Sequence, residues 1–399
     1  MTDASTERNY SITDEKICLC ALNRIFGFEP AVARTLMGGF PKLTELFHLS
    51  DSKKRDLFGP YSRHSALITP KALENEAAEL RRIYDEGILF FGLSEDGYPQ
   101  RLMECEDAPA GIYVRCRGDA AKVLNPEHAV AIVGTRAMTD YGREWCENIV
   151  SALSSTKERP AIISGLAYGT DFTAHSTALS LGLPTIGVMA TGPETVYPAR
   201  HRRIAETVAS QDGCGLITDY PPGTVPVAVN FIRRNRIIAG MSDAVILTES
   251  AVKGGGMITA RQAFSYDRTV FAIPGRCSDA LSQGCNMLIR ENIAEIADSA
   301  DGLVKALKYN SDGGLRKRFT PDKIISSTYR DSSDNDCGTM SDILRAIHDN
   351  PGIQVEQIAV KLKREYHKVA ELVCRLECDG LVTTDLAGCC RIDRIKCST

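Results

Sequence analysis

Short runs of β-branched and other apolar residues recur between residues 129 and 275, and helix-length segments separate most of them. The six runs are AVAIVG (129–134), AIISG (161–165), PTIGVMA (184–190), GLITDY (215–220), DAVILTE (243–249) and RTVFAIPG (268–275). Nearly continuous apolar strands that alternate with helices form parallel sheets covered on both faces. We therefore expect an α/β fold with a Rossmann-like, doubly wound and mostly parallel sheet.

The sequence changes character three times along its length, which predicts four segments. Residues 1–80 have apolar residues at helical spacing, typical of a helical domain of the SAM or helix-hairpin-helix type or of a small interaction domain. Residues 81–307 are expected to form the Rossmann-like domain, with lead-in strands in 81–128. The polar stretch 308–339 is expected to be a linker. Residues 340–399 show three helical patterns and a hairpin, the layout of a winged helix.

The C-terminal segment carries little net charge. From residue 340 onward nine lysines and arginines balance nine aspartates and glutamates, and the expected hairpin turns at Ala387-Gly388. Because phosphate contacts dominate DNA affinity, a neutral module is a poor candidate for duplex binding. Binding of a protein partner is at least as good an expectation for this segment.

The whole chain of 399 residues has a formal net charge of -4. Compact DNA binders usually carry a positive excess, so any contact with nucleic acid must use local patches. The polar start lacks the layout of a signal peptide, and no apolar run approaches the ~18 residues that span a bilayer. We expect a cytoplasmic protein without membrane contact. The fourteen cysteines include no CxxC pair, so buried free thiols are expected and no metal.

Ligands of doubly wound sheets bind beyond the carboxyl ends of the strands, so the segments after the strands hold the candidate residues. After the first strand, Gly134, Thr135 and Arg136 combine close backbone approach with a guanidinium that can grip a phosphate. A tight turn with a solvated arginine is the alternative. After the second strand, Ser164 and Gly165 again permit a ligand to approach the backbone.

Two further segments offer donors. The segment FIRRNR places Phe231, Arg234, Asn235 and Arg236 before the fifth strand. Guanidinium groups neutralise phosphates there, and a phenyl face can stack on a base. The alternative is a solvated charge run with the phenyl ring in the core. The apolar residues that follow indicate a helix, so the three arginines of the segment cannot all share one face, and one of them is expected to be structural.

After the fifth strand, Lys253, Gly254 and Gly255 lead into the next helix, and successive glycines there form a nest of N–H groups for an anion. Four donor segments suggest a backbone tracked over several phosphates, most simply single-stranded DNA. The sequence contains neither GxGxxG nor GxxxxGK[ST], so a nucleotide cofactor has no support and none is expected. Asp171 and His175, at i and i+4, allow an acid/base or metal pair, or a simple helix start at Asp171.

Five blocks of this sequence resemble the successive signature blocks of the DNA-processing protein A family, also called Smf. They are AIVGTRAMTDYG, SGLAYGTDFTAH, FIRRNRIIAG, KGGGMITA and PGRCSDALSQGCNMLIR. The resemblance implies a recombination mediator without enzymatic activity that binds and protects incoming single-stranded DNA in natural transformation, loads the RecA recombinase and forms homodimers. Motif matching then places in the DNA site Gly134, Arg136, Gly165, Phe231, Asn235, Arg236, Lys253, Gly254 and Gly255.

The departures from the family pattern are modest. Thr135 stands where serine is frequent, Tyr168 replaces a frequent arginine or lysine, and Gly255-Gly256 replaces a serine-bearing loop. The chief rival interpretation is a Rossmann-like nucleotide hydrolase related to the lysine-decarboxylase-like proteins, whose loop resembles PGGxGTxxE. Here Arg261 and Gln262 follow the loop and the glutamate is missing, which counts against that rival. An interaction scaffold is the third interpretation.

Overall fold

The computed structural model describes residues 11–309, 321–329, 334–350, 352–384 and 388–392. The chain divides into two compact units, residues 1–310 and 311–399. The first unit contains a nine-stranded sheet, and all six predicted runs are strands of it. The strands of this sheet are β1 (Ile88–Gly92), β2 (Gly111–Cys116), β3 (Ala129–Val133), β4 (Ala161–Ser164), β5 (Thr185–Val188), β6 (Gly215–Thr218), β7 (Ala244–Leu247), β8 (Thr269–Ala272) and β9 (Glu295–Ile296).

The order of the strands is β1-β2-β6-β5-β4-β3-β7-β8-β9. In this spatial order, all neighbouring strands from β6 across to β9 pair in parallel. The lead-in strands β1 and β2 lie at one edge, where β1 pairs antiparallel with β2 and β2 pairs antiparallel with β6. The expected doubly wound, mostly parallel sheet is confirmed. The order reverses beside β3, since β4 to β6 lie on one side and β7 to β9 on the other. Crevices at such switch points are where doubly wound sheets bind ligands.

Helices cover both faces of this sheet. In β3, Val130 and Ile132 point to a core with helices on one face, whereas Ala131 and Val133 belong to the core on the other, as the period of two in a strand requires. The helices of the first unit are α1 (Asp14–Phe26), α2 (Pro30–Gly39), α3 (Leu43–Phe47), α4 (Asp51–Phe58), α5 (Pro70–Asp85), α6 (Gln100–Met103), α7 (Ala120–Leu124), α8 (Asp140–Ser154), α9 (Thr170–Ser180), α10 (Arg202–Ser210), α11 (Ala228–Gly240), α12 (Gly255–Ser265), α13 (Gln283–Arg290) and α14 (Ala300–Ala306).

The N-terminal helices pack onto the lead-in strands. Leu19 and Phe26 of α1 share one apolar core with Phe90 of β1 and Tyr113 of β2. Close contact is possible because Gly92 has no side chain: a Cβ there would stand 2.3 Å from Cδ1 of Leu19. These helices therefore belong to the same compact unit as the sheet. Whether residues 1–80 also form a separate domain stays a prediction.

The second unit has its own apolar core, to which four helices and a pair of strands contribute. They are α15 (Pro321–Thr328), α16 (Asp334–Asp349), α17 (Val355–Leu362), α18 (Tyr366–Cys378), β10 (Val382–Thr384) and β11 (Cys390–Ile392). β10 and β11 are antiparallel. Three helices followed by such a pair match the predicted layout, and the winged-helix assignment itself stays a prediction. Of the expected hairpin turn, Ala387 lies outside the described residues.

The prediction of a linker over 308–339 is wrong for its second half. The segment contains α15 and the beginning of α16, and Ile325 and Tyr329 are buried in the core of the second unit. The segment is mostly polar, and its few apolar residues at helical spacing gave too weak a signal to predict a helix. One of them, Ile325, is almost fully buried. Within the described residues of both units, no helix is long and apolar enough to cross a bilayer.

Candidate nucleic-acid interface

The loop after β3 presents Arg136 to solvent. Gly134 is enclosed: a Cβ there would stand 2.4 Å from Oγ1 of Thr170 and 2.6 Å from Oγ1 of Thr248. The backbone N–H of Ala137 donates to Oγ1 of Thr135 at 3.1 Å, which shapes the turn. Arg136 itself is exposed, so the glycine and the threonine build the loop and the arginine is its accessible cation.

The loop after β7 places an anion-binding geometry beside it. Gly254 precedes α12 as an N-cap without a side-chain cap, and the exposed Lys253 comes immediately before. The first backbone N–H groups of a helix have no intrahelical partner and attract anions. The two loops lie against each other, because a Cβ on Gly256 would stand 3.3 Å from Cα of Gly134. Gly255 faces open space.

Glu249 links these two loops, and the sequence interpretation did not include it. The side chain is buried at the end of β7. It accepts hydrogen bonds from the backbone N–H of Thr139 at 2.9 Å and from its hydroxyl at 2.5 Å. Its carboxylate also fills the space beside Gly142. The available sequence signal was an acidic residue at the end of the apolar run DAVILTE, within an otherwise basic site. Glu249 holds the start of α8 against the end of β7.

The prediction that a ligand can approach the backbone at Ser164 and Gly165 is wrong, because neither residue reaches the surface. Both residues are buried, and the hydroxyl of Ser164 donates to the carbonyl oxygen of Ile132 at 2.6 Å. The place of a Cβ on Gly165 is taken by the guanidinium of Arg234 and the carboxylate of Asp171. The glycine therefore permits an interior arrangement of charges rather than the approach of a ligand.

The arginines of α11 point in different directions, as the helical period requires. Arg234 and Arg236 are buried, with 4% and 3% of their surfaces exposed. The prediction that they contact DNA is therefore corrected. Arg233 donates to the carbonyl oxygens of Gly27 and Phe28, so all three arginines of the segment have structural partners where one was expected. Arg234 donates to the carbonyl oxygen of Val188, and burial lowers the pKa of its guanidinium. Arg236 forms an ion pair with Asp219.

Phe231 and Asn235 lie one turn apart on α11 and are half-buried. The guanidinium carbon of Arg136 stands 5.3 Å from the centroid of the Phe231 ring, within the range of cation–π attraction. The ring of Tyr197, which is 47% exposed, meets Phe231 edge-on at 5.4 Å. The structure thus brings together an arginine and two aromatic rings at the surface.

Tyr197 belongs to a basic segment that the sequence interpretation missed. It is followed by Arg200, Arg202 and Arg203, all exposed, and none of these three arginines forms an ion pair with any described residue. Three arginines within four positions after the third predicted strand were the available signal. They add positive charge to the edge of the sheet that carries Arg136.

The Asp171–His175 pair does not form a surface acid/base site. His175 is fully buried, and its ring nitrogens face Oγ1 of Thr185 at 2.7 Å and the carbonyl oxygen of Gly165. Burial lowers the pKa of this histidine. Asp171 accepts from the backbone N–H of Ala167 at 3.2 Å, which orders the start of α9. Over the described part of the chain, no cluster of three metal-ligating side chains occurs.

The sequence model of a known family, described as DNA recombination-mediator protein A, matches residues 90–308. These residues contain the whole interface described above and more than half of the chain. The chain belongs to this family. The resemblance to DNA-processing protein A that the signature blocks carry is thereby confirmed.

Individual relatives extend the match beyond the sheet. The chain is 31% identical to Protein Smf of Escherichia coli over 300 residues, 74% of this chain and 75% of that protein. It is 38% identical over 219 residues, 55% of this chain, to Protein Smf of Synechocystis, of whose length it spans about half (54%). The X-ray structure of DNA processing protein A (DprA) from Streptococcus pneumoniae superposes with a TM-score of 0.60 at 28% identity, covering 74% of this chain and 98% of that chain.

Proposed function

We propose that this protein binds single-stranded DNA as a recombination mediator, protects incoming strands during natural transformation and loads the RecA recombinase on them. The observation that carries the proposal is the pairing of Arg136 with Phe231 beside the uncapped start of α12. Family membership is its second support, since the family is described as a recombination mediator. The proposal assigns no catalytic residue.

The phosphate backbone is proposed to lie over the crevice between the β3 and β7 loops. Arg136 and Lys253 supply two exposed cations there, and the first N–H groups of α12 supply neutral donors. Each cation that neutralises a phosphate releases counterions, so binding weakens as salt is added, with a slope of ~0.7 per phosphate on single strands. Buried Arg234 takes no direct part, because its guanidinium donates to the carbonyl oxygen of Val188 and lies beside the carboxylate of Asp171.

Preference for single strands is proposed to come from the aromatic rings. Phe231 and Tyr197 present ring surface beside Arg136, and stacking on an aromatic side chain contributes about 1–3 kcal/mol per base. A base can use this energy only when its face is uncovered. In a duplex the faces are stacked on their neighbours, so the same surface would contact only the backbone.

The test is an anisotropy titration with labelled oligo-dT and a duplex of equal length. Wild type should bind oligo-dT more tightly, and Arg136→Ala and Lys253→Ala should each weaken binding and reduce its salt dependence between about 50 and 200 mM. Lys157→Ala is the matched control, since Lys157 is exposed just before β4, at the opposite edge of the sheet. Equal affinity for duplex, or wild-type binding by both site variants, would refute the assignment.

The same preparation tests the enzymatic alternative. Incubation with nucleoside monophosphates should release no free base. In α12 the place of a catalytic glutamate holds Arg261, which forms an ion pair with Glu291 at 2.8 Å. Release of free base that depends on the Lys253 loop would favour a nucleotide hydrolase over the proposed mediator.

Self-association and RecA loading form the finer part of the proposal. The neighbouring helices α11 and α12 carry the exposed apolar side chains Val229, Ile232 and Ile258, which suit a homodimer contact. Sedimentation should therefore give a dimer that Ile232→Glu dissociates. Loading is tested by the rate at which RecA covers DNA already coated with a single-strand binding protein. An unchanged rate in the presence of this protein would contradict that role.

A further inference from the structure

Three aromatic rings form a cluster beside the Arg136 loop and take no part in the site described above. The ring of His201 stands 4.8 Å from the ring of Tyr168 and 4.8 Å from that of Phe172. Tyr168 and Phe172 are 44% and 42% exposed, whereas His201 is buried. We call Tyr168 and Phe172, with His201 between them, the aromatic platform.

The central ring of the platform is oriented by a hydrogen bond. Nδ1 of His201 lies 2.7 Å from the carbonyl oxygen of Leu166, which fixes the imidazole ring. Phe172 lies in the first turn of α9, and Tyr168 lies in the loop just before this helix. Tyr168 and Phe172 both keep over 40% of their surfaces exposed. Such surfaces are suited to stacking on a planar ligand.

The platform continues into the Arg136 site. Phe172 lines a cleft of about 290 Å³ together with Arg136, Arg143 and Gly169. Arg136 in turn covers Phe231 on the other side. One exposed cation therefore stands between two separate sets of aromatic rings.

The second connection runs along the chain. Tyr197, which meets Phe231, and His201, which supports the platform, lie four residues apart in the segment YPARHRR. The exposed Arg200, Arg202 and Arg203 belong to this same segment. Arg143 lies in the cleft and stands 4.0 Å from Asp140 in a solvent-exposed pair, which leaves most of its charge available. A surface that alternates aromatic rings with cations suits a single strand, because the rings can stack on successive bases and the cations can bind the phosphates between them.

We propose that the aromatic platform is a second base-stacking subsite, which receives nucleotides of the same DNA strand after it has passed Arg136 and the cleft. The proposal rests on the proposed function, because it extends the same strand. It adds a length requirement: a short oligonucleotide fills the Phe231 subsite alone, and a longer one fills both. The sequence signal is Tyr168, an aromatic residue where the family pattern often has a cation.

The experiment is a length series of labelled oligo-dT, from about 4 to 20 nucleotides, the range over which single-strand binding sites fall. The Tyr168→Ala/Phe172→Ala double variant should bind the longest oligonucleotide about tenfold more weakly than wild type, the loss expected for one stacked base. It should bind the shortest ones within about twofold of wild type. Tyr61→Ala is the control, since Tyr61 is 98% exposed and outside both subsites.

The outcomes separate the two proposals. Wild-type affinity of the double variant at every length overturns the subsite, and so does an equal loss at every length. Arg136→Ala should weaken all lengths, and if it does not, the proposed function fails first. Because a surface variant can still disturb α9, Tyr168→Trp and Phe172→Trp should restore the length dependence. Photo-crosslinking of 5-iododeoxyuridine at one end of a long strand should label Tyr168 or Phe172, and labelling only near Tyr197 and Phe231 overturns the subsite.

Discussion

The guanidinium of Arg236 and the carboxylate of Asp219 form an ion pair inside the sheet unit, with 4% and 5% of the two side chains exposed. Arg236 also donates to the backbone carbonyl of Asp107. Removing one partner of a buried pair leaves an uncompensated charge and costs about 3–5 kcal/mol. The pair joins α11 to the turn after β6, so its charge serves the fold.

Arg236→Met should therefore lower the free energy of unfolding by about 3–5 kcal/mol in urea denaturation. Arg136→Met, at an exposed position, should change it by less than about 0.5 kcal/mol while weakening DNA binding. The two arginines thus separate stability from binding. A stable Arg236→Met protein that has selectively lost DNA affinity would restore the earlier interpretation of Arg236 as a phosphate ligand.

The adjacent glycines at the start of α12, Gly255 and Gly256, should respond differently to the same methyl group. A Cβ on Gly256 would stand 2.6 Å from Cδ1 of Leu247, whereas one on Gly255 meets nothing within 4 Å. Gly256→Ala should destabilise the protein by about 1–3 kcal/mol through overpacking, and Gly255→Ala by less than about 0.5 kcal/mol. Thermal or urea unfolding of the pair measures the difference. Equal effects would show that the side chain of Leu247 and the loop after β3 can move aside without cost.

The strands could be predicted because each apolar run is local and its period is visible in the sequence. The positions of the candidate loops could then be predicted as well, because the carboxyl ends of parallel strands lie at the same edge of the sheet. The directions of the arginines could not be predicted in the same way. Arg234 binds a carbonyl 46 residues away, at Val188, and such a partner leaves no local signal. The basic segment from Arg200 to Arg203 is visible in the sequence, but it lies about ten residues after the third predicted strand, without an adjacent glycine to mark it.

The cysteines should divide into two reactivity classes. Seven described thiols are buried, against the three exposed ones Cys277, Cys374 and Cys378, so the expectation of buried thiols holds for only part of the set. Burial raises the pKa of Cys105 to about 12 and that of Cys285 to about 12. At about pH 8, where the thiolate is the reactive form, iodoacetamide should label the exposed thiols and spare the buried ones until urea is added.

Within the exposed class the rates should differ. The neighbouring thiolate of Cys374 raises the pKa of Cys378, so Cys378 should react more slowly than a single exposed thiol of ordinary pKa. Peptide mass spectrometry over a time course measures this, with Cys374→Ser as the matched variant. Replacing Cys374 should speed the labelling of Cys378. An unchanged rate would contradict the coupling of the two thiols on α18.

His175 should make the first unit sensitive to acid. Burial lowers the pKa of this histidine below its ordinary value of 6.5. Above about pH 6.5 the ring is neutral in both the folded and the unfolded chain, so its contribution is constant. As the pH falls further, the unfolded chain takes up a proton that the folded one does not. The free energy of unfolding should then fall by up to about 1.4 kcal/mol per pH unit until the folded pKa is reached.

Urea denaturation between about pH 7.5 and pH 5 measures this slope, because most carboxylates titrate below that range. His175→Gln should be less stable than wild type near neutrality, since it loses contacts to Thr185 and Gly165, yet its stability should depend less steeply on pH. His48→Gln, at an exposed position, should keep the wild-type slope. If wild type and His175→Gln lose stability in parallel as the pH falls, the buried imidazole is not the acid-sensitive group, and protonation elsewhere in the unit must account for the loss.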